Sequence, residues 1–372
     1  MVEWKEIREL FDTRNGYTPS TKEDGFWIDG TIPWFKMDDI RENGTILDDS
    51  KLHITEKAVK GKGLFNPNSI ILATSATIGE HALITVKHLC NQRFTNLFPK
   101  KNYENRVNMR FFYYYMFLVD EWCKQHTHQG GFASVDMEGL YKYLVPIPSL
   151  SEQNRIVGIL DTFTSSIDNL KQQIAQRRKQ YEYYRDQLLD LEGKEGVEMK
   201  ILRSIVKSYC TGATPNKGHS EYYEAGTIPW LRTQDVKFNE IYDIDTFVTD
   251  EAVEKTGVKW IPANCVIVAI SGATAGRCAI NKIPTTTNQH CLNLEINPKI
   301  ALYKYVFYCV YNAYSDMVSR KQGARGDLNS SIILGITIPL PPLREQQRIV
   351  SILDTFEASI QNLETQLSQR EK

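Results

Sequence analysis

Polar side chains of the kinds that bind nucleic acids occur in short stretches predicted to be loops. Arginine, lysine, glutamine, asparagine, serine and threonine hydrogen-bond to base edges and to phosphates. The stretches occur in pairs, one in each half of the chain: residues 36–38 and 232–234, 79–81 and 276–278, 92–94 and 289–291, and 129–132 and 322–325. Within each pair the polar residues differ. A common scaffold that binds two different ligands would produce this pattern, as would ordinary drift of surface loops at any single position.

The residues that we predict to contact nucleic acid are taken from these stretches and from the small-residue loops beside them. They are Lys36, Thr77, Arg93, Gln129, Arg232, Gln234, Ser271, Thr274, Arg277, Gln289, Gln322 and Arg325. A contact with a base edge would give discrimination, whereas a contact with a phosphate would give affinity for any sequence.

Catalytic groups are harder to find. Asp38, Asp39, Asp48 and Asp49 suggest a metal-dependent nuclease, but only Asp39 recurs in the second half, as Asp235. A carboxylate that is kept in both halves beside a tryptophan is more often a turn or cap group. We therefore predict a structural role for this pair of aspartates.

Other catalytic and cofactor motifs are incomplete. Cys123, His126 and His128 have metal-ligand spacing, but no partner cluster accompanies them, so polar residues after a helix are the preferred interpretation. Gly61-Lys62-Gly63 lacks the spacing of a phosphate-binding loop, and the sequence has no Gly-x-Gly-x-x-Gly and no Asn-Pro-Pro-aromatic stretch. We predict no catalytic residues, no metal site and no cofactor in this chain.

The elements that must position the polar loops are duplicated. Gly-x-Thr-Pro at 16–19 returns at 212–215, and Gly-Thr-Ile-Pro-Trp at 30–34 returns at 226–230. The β-branched runs 69–73 and 265–269 predict buried strands. Asn-Gln at 91–92 and 288–289, aromatic-rich helices at 111–122 and 303–314, and strands with prolines at 145–148 and 338–341 complete each half.

Each half ends in a long helix with a coiled-coil seam. The apolar positions of the seam recur in steps of four and three, and the second set lies 193 residues after the first. The residues predicted to pair the helices are Ile156, Leu160, Phe163 and Ile167 in the first and Ile349, Leu353, Phe356 and Ile360 in the second. Because an apolar helix face is unfavourable in water, we expect the two helices to bury their apolar faces by pairing antiparallel within one molecule. The second seam ends about two heptads before the first does.

These observations predict an α+β protein with two repeated mixed α/β domains and a coiled coil, related by a pseudo-two-fold axis. The predicted segments are a first domain at 1–150, a long helix at 151–196, a second domain at 197–343 and a second helix at 344–372.

Composition sets further limits. The chain has 372 residues and a formal net charge of −1, so any surface for DNA must be local. Seven cysteines without a Cys-x-x-Cys pair favour free thiols in a reducing compartment. The N-terminus has no apolar signal region, and the apolar run 111–119 is too short to span a bilayer. We expect a cytoplasmic protein.

The order and duplication of these motifs resemble the DNA specificity subunit of type I restriction-modification enzymes. The motifs are Gly-x-Thr-Pro-Ser, Gly-Thr-Ile-Pro-Trp, Ala-Thr-x-Gly after a strand, Asn-Gln, and Pro-Leu-Pro-Pro-Leu-x-Glu-Gln-x-Arg-Ile-Val at 339–350. The resemblance implies that each domain is a target recognition domain that reads one half of a bipartite DNA sequence, and that the helices are the spacer between them.

The resemblance also implies the partners. Modification subunits would bring S-adenosylmethionine, and motor/restriction subunits would bring ATP and Mg²⁺, so the chain itself would be non-catalytic. Two rival hypotheses remain. A single-chain nuclease or methyltransferase is disfavoured by the missing motifs, and a coiled-coil adaptor that binds only proteins is compatible with the near-neutral charge.

Overall fold

The computed structural model describes residues 2–128, 133–319 and 327–371. The chain forms two compact units, Met1–Ser166 (unit 1) and Ile167–Lys372 (unit 2). Within the described residues, no helix has both the length and the apolar composition needed to cross a membrane.

The strands of unit 1 are Glu3–Glu6 (β1), Phe11–Asn15 (β2), Ile32–Phe35 (β3), Ile46–Leu47 (β4), His53–Ile54 (β5), Ser69–Ala73 (β6), His81–Ile84 (β7), Leu89–Cys90 (β8), Phe94–Pro99 (β9), Thr127–His128 (β10), Ser134–Val135 (β11) and Leu144–Ile147 (β12). The helices are Ile7–Leu10 (α1), Met37–Asn43 (α2), Met109–Gln125 (α3), Met137–Lys142 (α4) and the start of Leu150–Leu189 (α5).

A five-stranded sheet of order β2-β9-β6-β7-β4 forms the centre of unit 1. All five residues of the central strand β6 are buried, as the β-branched run predicts. One face of the sheet packs on the aromatic helix α3, and the other packs on the smaller sheet β5-β3-β8. Strand β12 pairs only with β1 among the described strands, so its one proline, Pro146, needs no backbone hydrogen bond to a strand on the other side.

The strands of unit 2 are Glu198–Ile201 (β13), Val206–Thr211 (β14), Ile228–Leu231 (β15), Asn239–Ile241 (β16), Phe247–Val248 (β17), Trp260–Ile261 (β18), Val266–Ala269 (β19), Cys278–Asn281 (β20), Thr285–Thr287 (β21), Cys291–Ile296 (β22) and Thr337–Leu340 (β23). The helices that follow the end of α5 are Asp250–Lys255 (α6), Tyr303–Asn312 (α7), Tyr314–Ser319 (α8), Ser330–Leu334 (α9) and Leu343–Arg370 (α10).

Unit 2 repeats the strand order of unit 1. Its five-stranded sheet is β14-β22-β19-β20-β16, in which each strand is the counterpart of one in β2-β9-β6-β7-β4. The last pair is parallel in both sheets, β4 with β7 and β16 with β20, while the other neighbours are antiparallel. The duplication in sequence is therefore a duplication of topology.

The Glu-Gln-x-Arg-Ile motif fixes the start of each long helix. Gln153 is buried; its Nε2 donates to the carbonyl oxygens of Arg106 and Pro148, and its Oε1 accepts from the backbone N–H of Asn108. Gln346 does the same in unit 2. A fully hydrogen-bonded buried amide holds the helix against its globule without leaving an unpaired polar group.

Within unit 2, the end of α5 and helix α10 pair antiparallel. Four contacts show the direction, because the residue number rises along α5 as it falls along α10: Lys171 with Glu371, Arg178 with Glu364, Tyr181 with Glu357, and Tyr184 with Phe356. The prediction of an intramolecular antiparallel pair is thus confirmed for these segments. The seam continues into the core of unit 2, where Ile349 and Leu353 are buried.

The seam is not uniform along α5. Phe163, predicted to pair the helices, is 59% exposed, whereas Leu170 and Ile174 further along α5 are buried. Ile156 packs instead against the core of unit 1. The prediction that Phe163 is a buried pairing residue is wrong, because the heptad pattern identifies an apolar face without identifying what covers it.

Candidate nucleic-acid interface

Loops from separate parts of unit 1 meet at one end of the five-stranded sheet. Three backbone hydrogen bonds join them, from Tyr17 N to Cys90 O (2.8 Å), from Thr74 N to Arg93 O (3.0 Å), and from Asn91 N to Phe35 O (3.0 Å). We call residues 16–18, 36, 74–77 and 91–93 the loop edge of unit 1. This edge brings together the predicted residues Lys36, Thr77 and Arg93.

Unit 2 has the same arrangement. Its loops are joined from Ala213 N to Thr287 O (3.0 Å), from Ile270 N to His290 O (2.9 Å), and from Asn288 N to Leu231 O (3.0 Å). The loop edge of unit 2 is residues 212–214, 232–234, 270–277 and 288–290. It contains the predicted residues Arg232, Gln234, Ser271, Thr274, Arg277 and Gln289.

Lys36 and Arg232 occupy equivalent positions after strands β3 and β15. Lys36 Nζ lies 2.8 Å from a carboxylate oxygen of Asp38, and this partner raises the pKa of Lys36. Arg232 lies 3.7 Å from the carboxylate of Asp245, and its buried Nε has no hydrogen-bond partner among the described residues. Because this Nε is buried, it is the partly exposed remainder of the Arg232 side chain, and not Nε, that can reach an external acceptor.

The two recurring aspartates fix the backbone at these positions. Asp39 Oδ2 accepts from the backbone N–H of Lys36 over 2.8 Å, and Asp235 Oδ2 accepts from that of Arg232 over 2.8 Å. Asp39 Oδ1 also accepts from the backbone N–H of Lys51. The prediction that these carboxylates are turn or cap groups is confirmed.

The remaining predicted residues of unit 1 differ in exposure. Arg93 is exposed, and its backbone N–H donates to Oδ1 of Asn91 over 3.0 Å. Thr77 is partly exposed, but its hydroxyl is buried and has no partner among the described residues. Gln129 lies outside the described residues. Arg93 is therefore the side chain of this edge that is best placed to reach an external ligand.

In unit 2, the loop between β19 and β20 carries three predicted residues. The Ser271 hydroxyl donates to the carboxylate of Asp327 over 2.7 Å, and the carbonyl of Thr274 accepts from the backbone N–H of Arg277 over 2.9 Å. Gln234 and Gln289 are exposed on neighbouring loops. Gln322 and Arg325 lie outside the described residues.

A threonine–glutamine pair recurs in both edges. Thr18 donates to Oε1 of Gln92 over 2.5 Å, and Thr214 donates to Oε1 of Gln289. Gln289 is among the predicted contacts, whereas Gln92, Thr18 and Thr214 are not. The signal that could have found them is the recurrence itself, since Gly-x-Thr-Pro and Asn-Gln occur once in each half.

Not every position that differs between the halves lies on a loop. His81 and its counterpart Cys278 are buried, and so are Phe94 and its counterpart Cys291. His81 Nδ1 is 2.6 Å from Asp120 Oδ2, and its Nε2 is 2.9 Å from the carbonyl of Tyr113. The prediction that the differing residues are loop residues is wrong here, because His81 and Phe94 begin strands whose side chains face the core.

The residues with metal-ligand spacing do not converge. Cys123 is buried, which raises the pKa of its thiol to about 12, and the His126 ring stacks on Trp122 at 4.2 Å. No group of three metal-ligating side chains is found among the described residues.

A sequence model of the type I restriction modification DNA specificity domain matches this chain twice, at residues 1–177 and 194–370. The chain belongs to this family. The two matches fall on the two halves in which the strand order, the loop edge and the long helix recur.

Curated specificity subunits are similar to this chain over part of their length. The EcoprrI subunit of Escherichia coli is 49% identical over 222 residues, which cover 55% of this chain and 54% of that protein. The EcoR124I/EcoR124II subunit of Escherichia coli is 32% identical over 268 residues, covering 68% of this chain and 64% of that protein. The chain thus matches between about half and two thirds of the length of these relatives.

Solved structures of specificity subunits share the fold. The type I S subunit from M. genitalium superposes with a TM-score of 0.60 at 16% identity, covering 100% of this chain and 93% of that one. The HsdS subunit from Thermoanaerobacter tengcongensis gives a TM-score of 0.54 at 15% identity, with 100% and 92% covered.

Proposed function

We propose that this chain is the DNA sequence-recognition subunit of a type I restriction-modification complex, and that each loop edge contacts one half of a bipartite target. One observation carries the proposal. The two loop edges are built by equivalent hydrogen bonds, yet they present different polar side chains, such as Arg93 against His290 and Lys36 against Arg232.

The chemistry of these side chains suits DNA. Arginine, glutamine and histidine can donate to acceptors on base edges in the major groove, and lysine and arginine can bind phosphates. Since the net charge of the chain is −1, the attraction must come from these local groups rather than from an overall basic surface. The capped loops hold their backbones in place, so little ordering entropy is lost on binding.

In this proposal, residues 1–150 and 197–343 are the target recognition domains, and the segments 151–196 and 344–372, which contain most of α5 and α10, are the spacers. The helices set the distance between the half-sites and dock the modification subunits. Those subunits supply S-adenosylmethionine, and motor/restriction subunits supply ATP and Mg²⁺, while this chain performs no turnover. Support comes from the names of the relatives, which are specificity subunits of type I restriction enzymes.

Methylation mapping tests the proposal. Cells that carry this chain with its modification subunit should methylate adenine within one bipartite sequence. Replacing residues 1–150 with the same region of a relative should change one half-site and preserve the other half-site and the gap. A replacement that altered both halves would show that the reading surface has been assigned to the wrong part of the chain.

Two rival functions give different results. If the chain were an adaptor that binds only proteins, its complex with the modification subunit would shift no DNA. If the chain were itself a nuclease or methyltransferase, incubating it alone with DNA and Mg²⁺ or S-adenosylmethionine would yield product.

A further inference from the structure

The threonine–glutamine pairs, Thr18 with Gln92 and Thr214 with Gln289, are the same in both loop edges although the residues beside them differ. We propose that Gln92 and Gln289 bind the phosphate backbone of DNA, and so place each edge on the duplex without helping to tell the half-sites apart. This inference rests on the proposed function. A residue that is the same in two domains with different target sequences can bind the phosphates, which are the same in both targets.

The preceding asparagine fixes the backbone of each glutamine. Asn91 donates its backbone N–H to Phe35 O, and its side-chain Oδ1 accepts from the N–H of Arg93 over 3.0 Å. The same two bonds join Asn288 to Leu231 and to His290. Because the asparagine side chain closes the turn, the glutamine side chain between these bonds is left to project from it.

The threonine is fixed by a close approach of two backbones. A Cβ on Gly16 would lie 2.2 Å from the carbonyl oxygen of Cys90, and one on Gly212 would lie 1.9 Å from that of Thr287. Only glycine permits this approach, which brings the threonine two residues later within reach of the glutamine.

The tryptophan of Gly-Thr-Ile-Pro-Trp adds a third anchor. Trp34 Nε1 donates to the carbonyl of Tyr17 over 2.9 Å, and Trp230 Nε1 donates to that of Ala213 over 3.1 Å. The residue that precedes each threonine is therefore held by a partly buried hydrogen bond. Three motifs that are far apart in sequence thus serve one threonine–glutamine pair in each unit.

The orientation of the amide selects the ligand. Since the threonine hydroxyl donates to Oε1, the amide nitrogen of each exposed glutamine is the donor that can reach an external acceptor, and in unit 2 it also lies 3.2 Å from His290 Nε2. Glutamine reads adenine by using Oε1 and Nε2 together, and here the threonine hydroxyl already takes one of the two lone pairs of Oε1 and fixes the plane of the amide. Phosphate oxygens need only a donor, and every nucleotide carries them.

The comparison of the two units points the same way. Arg93 follows Gln92, whereas His290 follows Gln289, and His290 Nε2 lies 3.2 Å from the Gln289 amide nitrogen. If the edges read different half-sites, a group common to both cannot supply the difference. Arg93 and His290, which differ between the units, are suited to contacts with bases. The threonine–glutamine pair, which is the same in both units, is suited to the phosphate backbone.

The test uses Gln92→Glu in the full chain bound to its modification subunit. Glutamate still accepts the hydroxyl of Thr18, but it has no N–H donor and repels a phosphate. We expect affinity to fall about 10-fold or more for every sequence in a panel of single-base-pair variants, with unchanged discrimination at each position. Gln289→Glu should behave in the same way, and Gln92→Arg should steepen the dependence of log affinity on log salt by about one unit.

Different results of these binding measurements would contradict different parts of the proposal. If the loss were confined to sequences with one base pair at one position, Gln92 would be a base reader and the inference would be overturned. Wild-type affinity of Gln92→Glu at an unchanged melting temperature would leave the pair with a structural role only. Thr18→Val checks the positioning step, and it should weaken binding uniformly by less than Gln92→Glu does. If the wild-type complex bound no DNA, the proposed function would fail instead.

Discussion

The loop edges of the two units differ in their outward side chains and agree in almost everything that holds those side chains in place. An asparagine turn, a cap aspartate and a threonine–glutamine pair occur in each edge, but Arg93 in one is matched by His290 in the other. The residues that fix the loop backbones and the polar side chains that point outward therefore vary independently. A duplicated domain can thus change what it contacts without changing how it folds.

The attachment of the long helices shows a second contrast. In unit 1, Asp161 accepts from Arg110 (2.7 Å) and from the hydroxyl of Tyr114 (2.6 Å). In unit 2, the counterpart Asp354 accepts from Lys304 and Tyr308, and the partly buried Glu357 is added, which accepts from the hydroxyl of Tyr181. The second attachment therefore contains a partly buried carboxyl group that the first does not have at the equivalent Thr164.

The largest expected effect is on the free energy of unfolding, and it distinguishes a buried residue of the seam from an exposed one. Leu353→Asp should lower the free energy of unfolding by about 3 kcal/mol or more, because it buries a charge without a partner. Phe163→Asp should change it by less than about 0.5 kcal/mol, because that ring is 59% exposed. Urea unfolding of both variants measures the contrast, and equal losses would show that the seam is buried along its whole length.

Exchanging Arg93 and His290, the residues that follow the shared glutamines, tests whether the two loop edges recognise different bases. Arg93→His and His290→Arg should each alter recognition within one half-site by about 1–3 kcal/mol of base discrimination and leave the other half-site unchanged. Binding to a library randomised at both half-sites measures the effect. A uniform change across all sequences would place these residues on phosphates instead.

The added carboxyl of unit 2 predicts an unusual dependence on pH. Burial raises the pKa of Glu357 above its ordinary value of 4.5, so the folded state binds its proton more tightly than the unfolded state does. This contribution to stability is complete below pH 4.5 and is lost as the pH rises through the folded-state pKa. Glu357→Gln should therefore raise the free energy of unfolding at pH 7, as measured by urea unfolding.

Glu345 on the same helix is the matched control. Arg348 lowers the pKa of Glu345, so its contribution runs in the opposite direction and is lost as the pH falls. Glu345→Gln should slightly reduce stability at pH 7 and make no difference at low pH. If Glu357→Gln showed the same profile in urea unfolding, Glu357 would be ionised and paired in the folded protein.

The smallest expected effect concerns the rim of the helix pair. Arg178 bonds to Glu364 across the pair, but both side chains are largely exposed. Arg178→Ala should cost no more than about 0.5 kcal/mol, and this cost should vanish at high salt. A loss of several kcal/mol in thermal unfolding would mean that rim charges, rather than the apolar seam, hold the helices together.

Local patterns in the sequence were sufficient to determine the duplication, the strands Ser69–Ala73 and Val266–Ala269, the aromatic helices and the pairing of the long helices. Heptad spacing and β-branched runs act over a few residues, so they can be read without a structure. The cap role of Asp39 and Asp235 could also be predicted, because a cap lies three residues from its partner.

Only the tertiary structure decided which side chains meet. Thr18 and Gln92 lie 74 residues apart, and the register of the central sheet and the close approach at Gly16 bring them together. The structure also placed His81 in the core and left Phe163 exposed. In each case the pattern identifies a polar or apolar residue, but its partner comes from a distant segment, and no local rule specifies that segment.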